Sequence, residues 1–167
     1  EVTMVIAGEP LVLRAGENPA NCGTFKVDAI TRDVFAEFMR QKGRDRVSID
    51  FEHNTLPGSR AYRESHEPRE VAGRGVPVLT PAGDIELHDV EWTAAGRKYA
   101  DNFGDLSPAP WHNADGSVLG LHSVALVRNG AVYDLSFCAA DADAVTQEDE
   151  TMNELLAALV AAKLLEE

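Results

Sequence analysis

Two of the five histidines in this chain fall in stretches that read as strand. "SIDFEHN" (48–54) ends close to His53, and "GLHSVALV" (120–127) carries His122 inside an apolar run. Between them, "DLSPAPW" (105–111) sets Ser107 before Pro108 and Pro110. A serine hydroxyl is a weak nucleophile until a base takes its proton, and that base works best when a third group fixes its tautomer. One serine and two imidazoles supply these three parts. The chemistry they suggest is acyl transfer through a covalent intermediate.

Spacing along the strands sets which groups can meet. In "VSIDFEH", period-two alternation puts Val47, Ile49, Phe51 and His53 on one face and Ser48, Asp50 and Glu52 on the other. The carboxylates of Asp50 and Glu52 are therefore expected to point away from His53. In "DLSPAPW", Pro108 and Pro110 both lack an N–H, and alternate residues aim that group to the same side, so one margin cannot carry a regular ladder. The segment is expected to be an edge strand or to face a cleft. If "NADG" (113–116) closes a four-residue turn, Ser107 lies across from His122, and one glycine bulge would move that partner to Ser123. The bland reading of the same residues is a core histidine and a bulged edge strand.

The other histidines carry less. His66 sits in a charged loop, His88 beside Asp89, and His112 beside a turn. Asp50, Glu52, His53 and His66 would form a metal-dependent hydrolase only if they converged, which strand alternation disfavours, so no metal and no cofactor are expected. Cys22 and Cys138 are too few for a disulfide framework and read as reduced thiols.

The elements that must position these groups follow from local pattern. Short strands are expected at 2–6 and 11–14, and "ENPANCGT" (17–24) reads as a turn cluster. "TRDVFAEFMRQKG" (31–43) reads as a helix with Thr31 as cap and Gly43 as stop. A buried strand follows at "RVSID", then a polar loop over 52–70. "VAGRGVPVL" and "DIELHDVEW" are strands around "TPAGD", and "TAAGRKYADNF" is a short helix capped by Thr93. A hairpin of "LSPAPWH" and "SVLGLHSVALV" and a last strand "AVYDL" complete a mainly β domain with a few helices.

Past that point the composition changes. Residues 1–138 are expected to form the domain, 139–150 an acidic linker, and 151–167 an amphipathic helix with Leu155, Leu156, Leu159 and Val160 in one stripe. Self-association through that helix is one expectation, and packing on the domain is the other. Of the net charge of −13, residues 141–167 hold eight acids against Lys163 alone, which is −7 and leaves −6 for the rest. With no basic stripe to neutralise phosphates, nucleic acid is not an expected partner. No apolar run approaches the ~20 residues that span a membrane, and the first residues show no signal-peptide pattern.

Taken in order, "GTFKV", "SIDFEHNT", "REVAG", "VEWTAAG" and "LSPAPWHNADGSVLGLHSVALV" resemble the protease of Mu-like phages and prophages, the I protein family. That family is similar in turn to other phage prohead proteases and to herpesvirus assemblins. "HSVALV" followed by "RNGAVY" looks like the assemblin segment bearing the second histidine of a Ser-His-His triad. The resemblance implies a small assemblin-like β-barrel flanked by helices, with a C-terminal helical tail. It implies Ser107 as nucleophile, His53 as general base and His122 as third member, with Asp50 or Glu52 as the alternative third. Arg128 and Asn129 stand where assemblins support the oxyanion. The implied activity is a serine endopeptidase of head maturation. It would cut scaffold and major capsid precursors, and itself, inside the assembling procapsid in the host cytoplasm. The rival reading is a non-enzymatic capsid-assembly or scaffold-binding protein, in which Ser107 and both histidines would be dispensable.

Overall fold

The computed structural model describes residues 9–20, 23–103 and 105–128. The acidic linker, the C-terminal helix, the strand "AVYDL", Asn129 and both cysteines lie outside the described residues.

Eight strands and three α-helices are described, in chain order β1 (Leu11–Leu13), β2 (Gly16–Ala20), β3 (Gly23–Val27), α1 (Ala29–Gln41), β4 (Val47–Phe51), α2 (Arg60–Glu64), β5 (Val71–Leu79), β6 (Ile85–Trp92), α3 (Ala94–Tyr99), β7 (Asp105–His112) and β8 (Val118–Val127). Six strands form one sheet in the order β1-β6-β5-β4-β8-β7, and β2 with β3 forms a separate hairpin. The two margins of the large sheet, β1 and β7, curl into contact, so the sheet is a nearly closed barrel. The fold is mainly β with few helices, as the sequence pattern implies. β4 and β8 pair in parallel, while their other neighbours in the sheet are antiparallel.

Apolar side chains at alternate strand positions fill the barrel. Val47 and Ile49 of β4 meet Ile85 and Leu87 of β6 and Val118, Leu121, Val124 and Leu126 of β8, all almost fully buried. Helix α1 covers one side, burying Val34, Phe35, Phe38 and Met39 at helical spacing. Its cap is Asp28 rather than Thr31. The Asp28 carboxylate accepts from the Thr31 backbone, while the Thr31 hydroxyl accepts from the Asp28 N–H. The cap thus lies three residues upstream of the one expected from sequence. α1 approaches β8 closely because Gly120 has no side chain: a Cβ there would sit 2.5 Å from the Phe38 ring.

Two other expectations are corrected. The turn cluster at 17–24 is mostly strand, since β2 and β3 pair in register from Gly16↔Val27 to Ala20↔Gly23. The polar segment 52–70 contains α2, and its first part is packed into the protein: His53, Leu56 and Ser59 are buried there. Ser59 caps α2 by accepting from the Tyr62 N–H.

Candidate active site

β7 and β8 set the position of Ser107. The hairpin turn is one residue longer than the "NADG" reading, with Asn113 N–H donating to the Ser117 carbonyl and His112 opposite Val118. Two bulges on β8 then add a residue each, at Leu119 and at His122. These three one-residue shifts carry the partner of Ser107 from His122 to Ala125. β7 is an edge of the sheet, as its two prolines require.

On the other side of β8, Ala125 pairs with Asp50 of β4. Asp50, Ala125 and Ser107 therefore form one row across three strands, and directly opposed residues share a face. In that row only the small methyl group of Ala125 stands between Asp50 and Ser107.

His53 enters this row from the chain rather than from the sheet. Strand β4 stops at Phe51, and Glu52 (φ 52°) and His53 (φ 62°) both adopt the left-handed conformation. Two successive left-handed residues turn the chain sharply, so period-two alternation ends before His53. That overturns the expectation that His53 extends the apolar face of Val47, Ile49 and Phe51. Each such non-glycine residue costs about 1–2 kcal/mol and needs surrounding bonds to hold it. Here the His53 carbonyl accepts from the Leu56 N–H at 3.1 Å and the Ser59 hydroxyl at 2.7 Å, and the Asn54 N–H donates to Phe51 at 3.0 Å. The Glu52 N–H donates to Leu126, and the Glu52 carboxylate accepts from the Arg128 N–H at 3.2 Å.

The result is a buried pair: His53 Nε2 lies 2.8 Å from Ser107 Oγ, with His53 5% and Ser107 3% exposed. With the ring proton on Nδ1, Nε2 accepts from the hydroxyl, the arrangement in which an imidazole can take a serine proton. Asp50, 0% exposed, accepts through Oδ2 from the Thr55 N–H at 3.0 Å and from the Thr55 hydroxyl, and the dipole of the His53 backbone N–H acts on it to favour the charged form. Its Oδ1 is buried without a hydrogen bond among the described residues. Burial pushes the Asp50 carboxyl up to about 6, against these donors, which pull it down.

His122 is placed elsewhere. Its Nδ1 lies 3.0 Å from Ser123 Oγ and its Nε2 3.4 Å from the Arg44 guanidinium, and its ring stands edge-on to Trp111 at 5.3 Å between centroids. Burial, and then the charges of Arg44 and Lys42, lower its pKa to about 4. Both ring nitrogens have neighbours other than His53, and the surrounding cations oppose an imidazolium. These contacts tie His122 to Ser123, Arg44 and Trp111. Glu52, an alternative third member, is turned toward the end of β8, and the Arg128 guanidinium lies over the Phe103 ring at 5.4 Å.

The remaining candidates are dispersed. His66 is exposed, His112 Nδ1 lies 2.9 Å from the Asn113 carbonyl, and His88 lies between Glu86 and Glu9. Among the described residues, the acidic and histidine side chains close enough to share a metal are Glu9, Glu86 and His88, not the Asp50, Glu52, His53 and His66 set. Thr55 and Ser59 escaped the sequence reading. The signal for them was the run of turn formers in "HNTLPGS", whose hydroxyls are suited to local backbone bonds.

A family model described as Mu-like prophage I protein, N-terminal domain, matches residues 5–138. The chain belongs to that family. The match spans every described element, and with it the Ser107–His53 pair and Asp50. No curated protein and no solved structure matched the chain. Among the described residues no helix is long and apolar enough to cross a membrane.

Proposed function

We infer that the chain is a serine endopeptidase of phage head maturation, with Ser107 as nucleophile, His53 as general base and Asp50 as the buried anion that holds the base. The observation that carries this reading is the 2.8 Å approach of His53 Nε2 to Ser107 Oγ, between residues 54 positions apart in the chain. Asp50 stands in the same row as Ser107, two strands away and buried, which supports it over His122 as the positioning residue.

The reaction follows from these positions. Ser107 Oγ attacks the scissile carbonyl carbon as its proton passes to His53 Nε2. The tetrahedral species collapses when the imidazolium returns that proton to the departing amine, leaving an acyl-Ser107 ester. Water then gives a proton to Nε2, its oxygen attacks the ester, and the proton goes back to Ser107 as the carboxylic product leaves. An ionised Asp50 offsets the imidazolium charge in both steps. Its depth from water strengthens that effect. Family membership and the edge position of β7 support extended polypeptide, in scaffold and coat precursors, as substrate.

A fluorophosphonate probe tests the nucleophile. The intact protein should become covalently labelled at Ser107, and both Ser107→Ala and His53→Ala should lose that label while retaining the circular dichroism of the parent. Absence of labelling in the folded parent would leave the non-enzymatic assembly reading in its place.

A further inference from the structure

His122 belongs to a part of the surface that the relay does not use. The stretch "RQKGRDR" (40–46) holds four of the fifteen cations of the chain and one acid, Asp45. Arg40 pairs with Glu37 and Arg46 with Glu91, but Lys42 and Arg44 have no carboxylate within ion-pair distance among the described residues. They stack instead on one indole, with Lys42 Nζ 4.9 Å and the Arg44 guanidinium carbon 5.8 Å from the Trp111 ring centroid. Arg44 also borders a groove of about 670 Å³ between α1 and β5. Phe35, Met39, Pro77 and Leu79 line it, with Arg32 and Arg40 from the exposed side of α1. An apolar groove edged by cations, on a chain of net charge −13, has the opposite sign from the molecule that carries it.

We propose that this groove seats the acidic, apolar segment 148–160 of the same chain. Glu148, Asp149, Glu150 and Glu154 supply four acids with no cation before Lys163, and Leu155, Leu156, Leu159 and Val160 recur at the spacing of one helix face. The acids complement Arg32 and Arg44, which outnumber the one lining acid, Asp45, and the leucines match the apolar lining. Residues 129–147 separate the segment from β8. A chain of that length reaches up to about 65 Å, several times the ~15 Å radius of gyration of such a domain, so covalent geometry leaves the groove within reach. The seat is independent of the peptidase reading, because it uses neither Ser107 nor His53.

Photo-crosslinking decides it. Benzoylphenylalanine replaces Ala36, an exposed residue lining the groove, in the full chain carrying Ser107→Ala so that no self-cleavage can remove the segment. Irradiation should join position 36 to residues 148–160, in an adduct of monomer mass located by peptide mass spectrometry. Adducts between two chains only, adducts to other residues, or none would overturn the proposal. Arg32→Glu with Arg40→Glu, both on the solvent side of α1, should cut the yield about fivefold. Adding Glu148→Lys and Glu150→Lys should restore it. A yield indifferent to these reversals would equally overturn the seat.

Discussion

His53 and His122 are both imidazoles beside a serine hydroxyl, at 2.8 Å from Ser107 and 3.0 Å from Ser123. Around His53 and its serine the nearby charged group is the buried Asp50, in the same row as Ser107. Around His122 the neighbours are Arg44, Lys42 and the edge of Trp111, and its pKa falls to about 4. The second environment resists protonation of the ring, while the first sets a buried carboxyl, not cations, in the neighbouring row. A serine–histidine contact is therefore not a catalytic dyad until the sign of the surrounding charge is known.

The largest effects should separate the two histidines outright. Ser107→Ala and His53→Ala should each lower cleavage by about 10⁴-fold or more, with the fold unchanged. His122→Asn should leave turnover within about threefold, and should cost about 1 kcal/mol of stability through lost contact with Trp111. Equal losses at His53 and His122 would reverse the comparison.

Asp50→Asn sharpens it next. Turnover should fall by about 10²–10⁴-fold, since the amide keeps shape but not charge. The acid limb of the pH–rate profile should reflect ionisation of Asp50 near its value of about 6. Stability should move the other way. A folded pKa raised to about 6 from 3.8 means that the folded state holds the proton longer than the unfolded chain. The contribution of Asp50 to stability is then greatest below about pH 4, falls as pH rises through 4 to 6, and levels off above, with a total of up to about 3 kcal/mol. Asp50→Asn should abolish that slope and raise the melting temperature at pH 8 while removing activity. A variant that loses stability along with turnover would instead make Asp50 a structural acceptor.

Thr55→Val gives a smaller, graded effect. It removes the hydroxyl donor to Asp50 Oδ2 and leaves the backbone donor in place. Denaturation should show a loss of about 1–3 kcal/mol above pH 6, where the carboxylate is charged, and less below it. The acid limb should shift upward. Glu52→Gln should be the mildest, a few tenths of a kcal/mol, because the Arg128 N–H keeps an acceptor at the exposed end of β8.

The residues and their neighbourhood in sequence were enough to nominate Ser107 and His53 and to require an edge strand at Pro108 and Pro110, because proline chemistry and strand alternation are local. They were also enough for a mainly β chain, since β5, β6 and β8 form where their apolar, β-prone runs lie even though bulges interrupt the alternation. Which group stands in the row of Ser107 depended on features with no local signal. Two bulges and a longer turn displaced the register by three residues, and two left-handed residues ended the alternation at Phe51. Register accumulates every single-residue shift along a hairpin, and a reversal in one turn changes the face of all that follows. Only the packed sheet, with Ala125 between Asp50 and Ser107, determined where those shifts stopped.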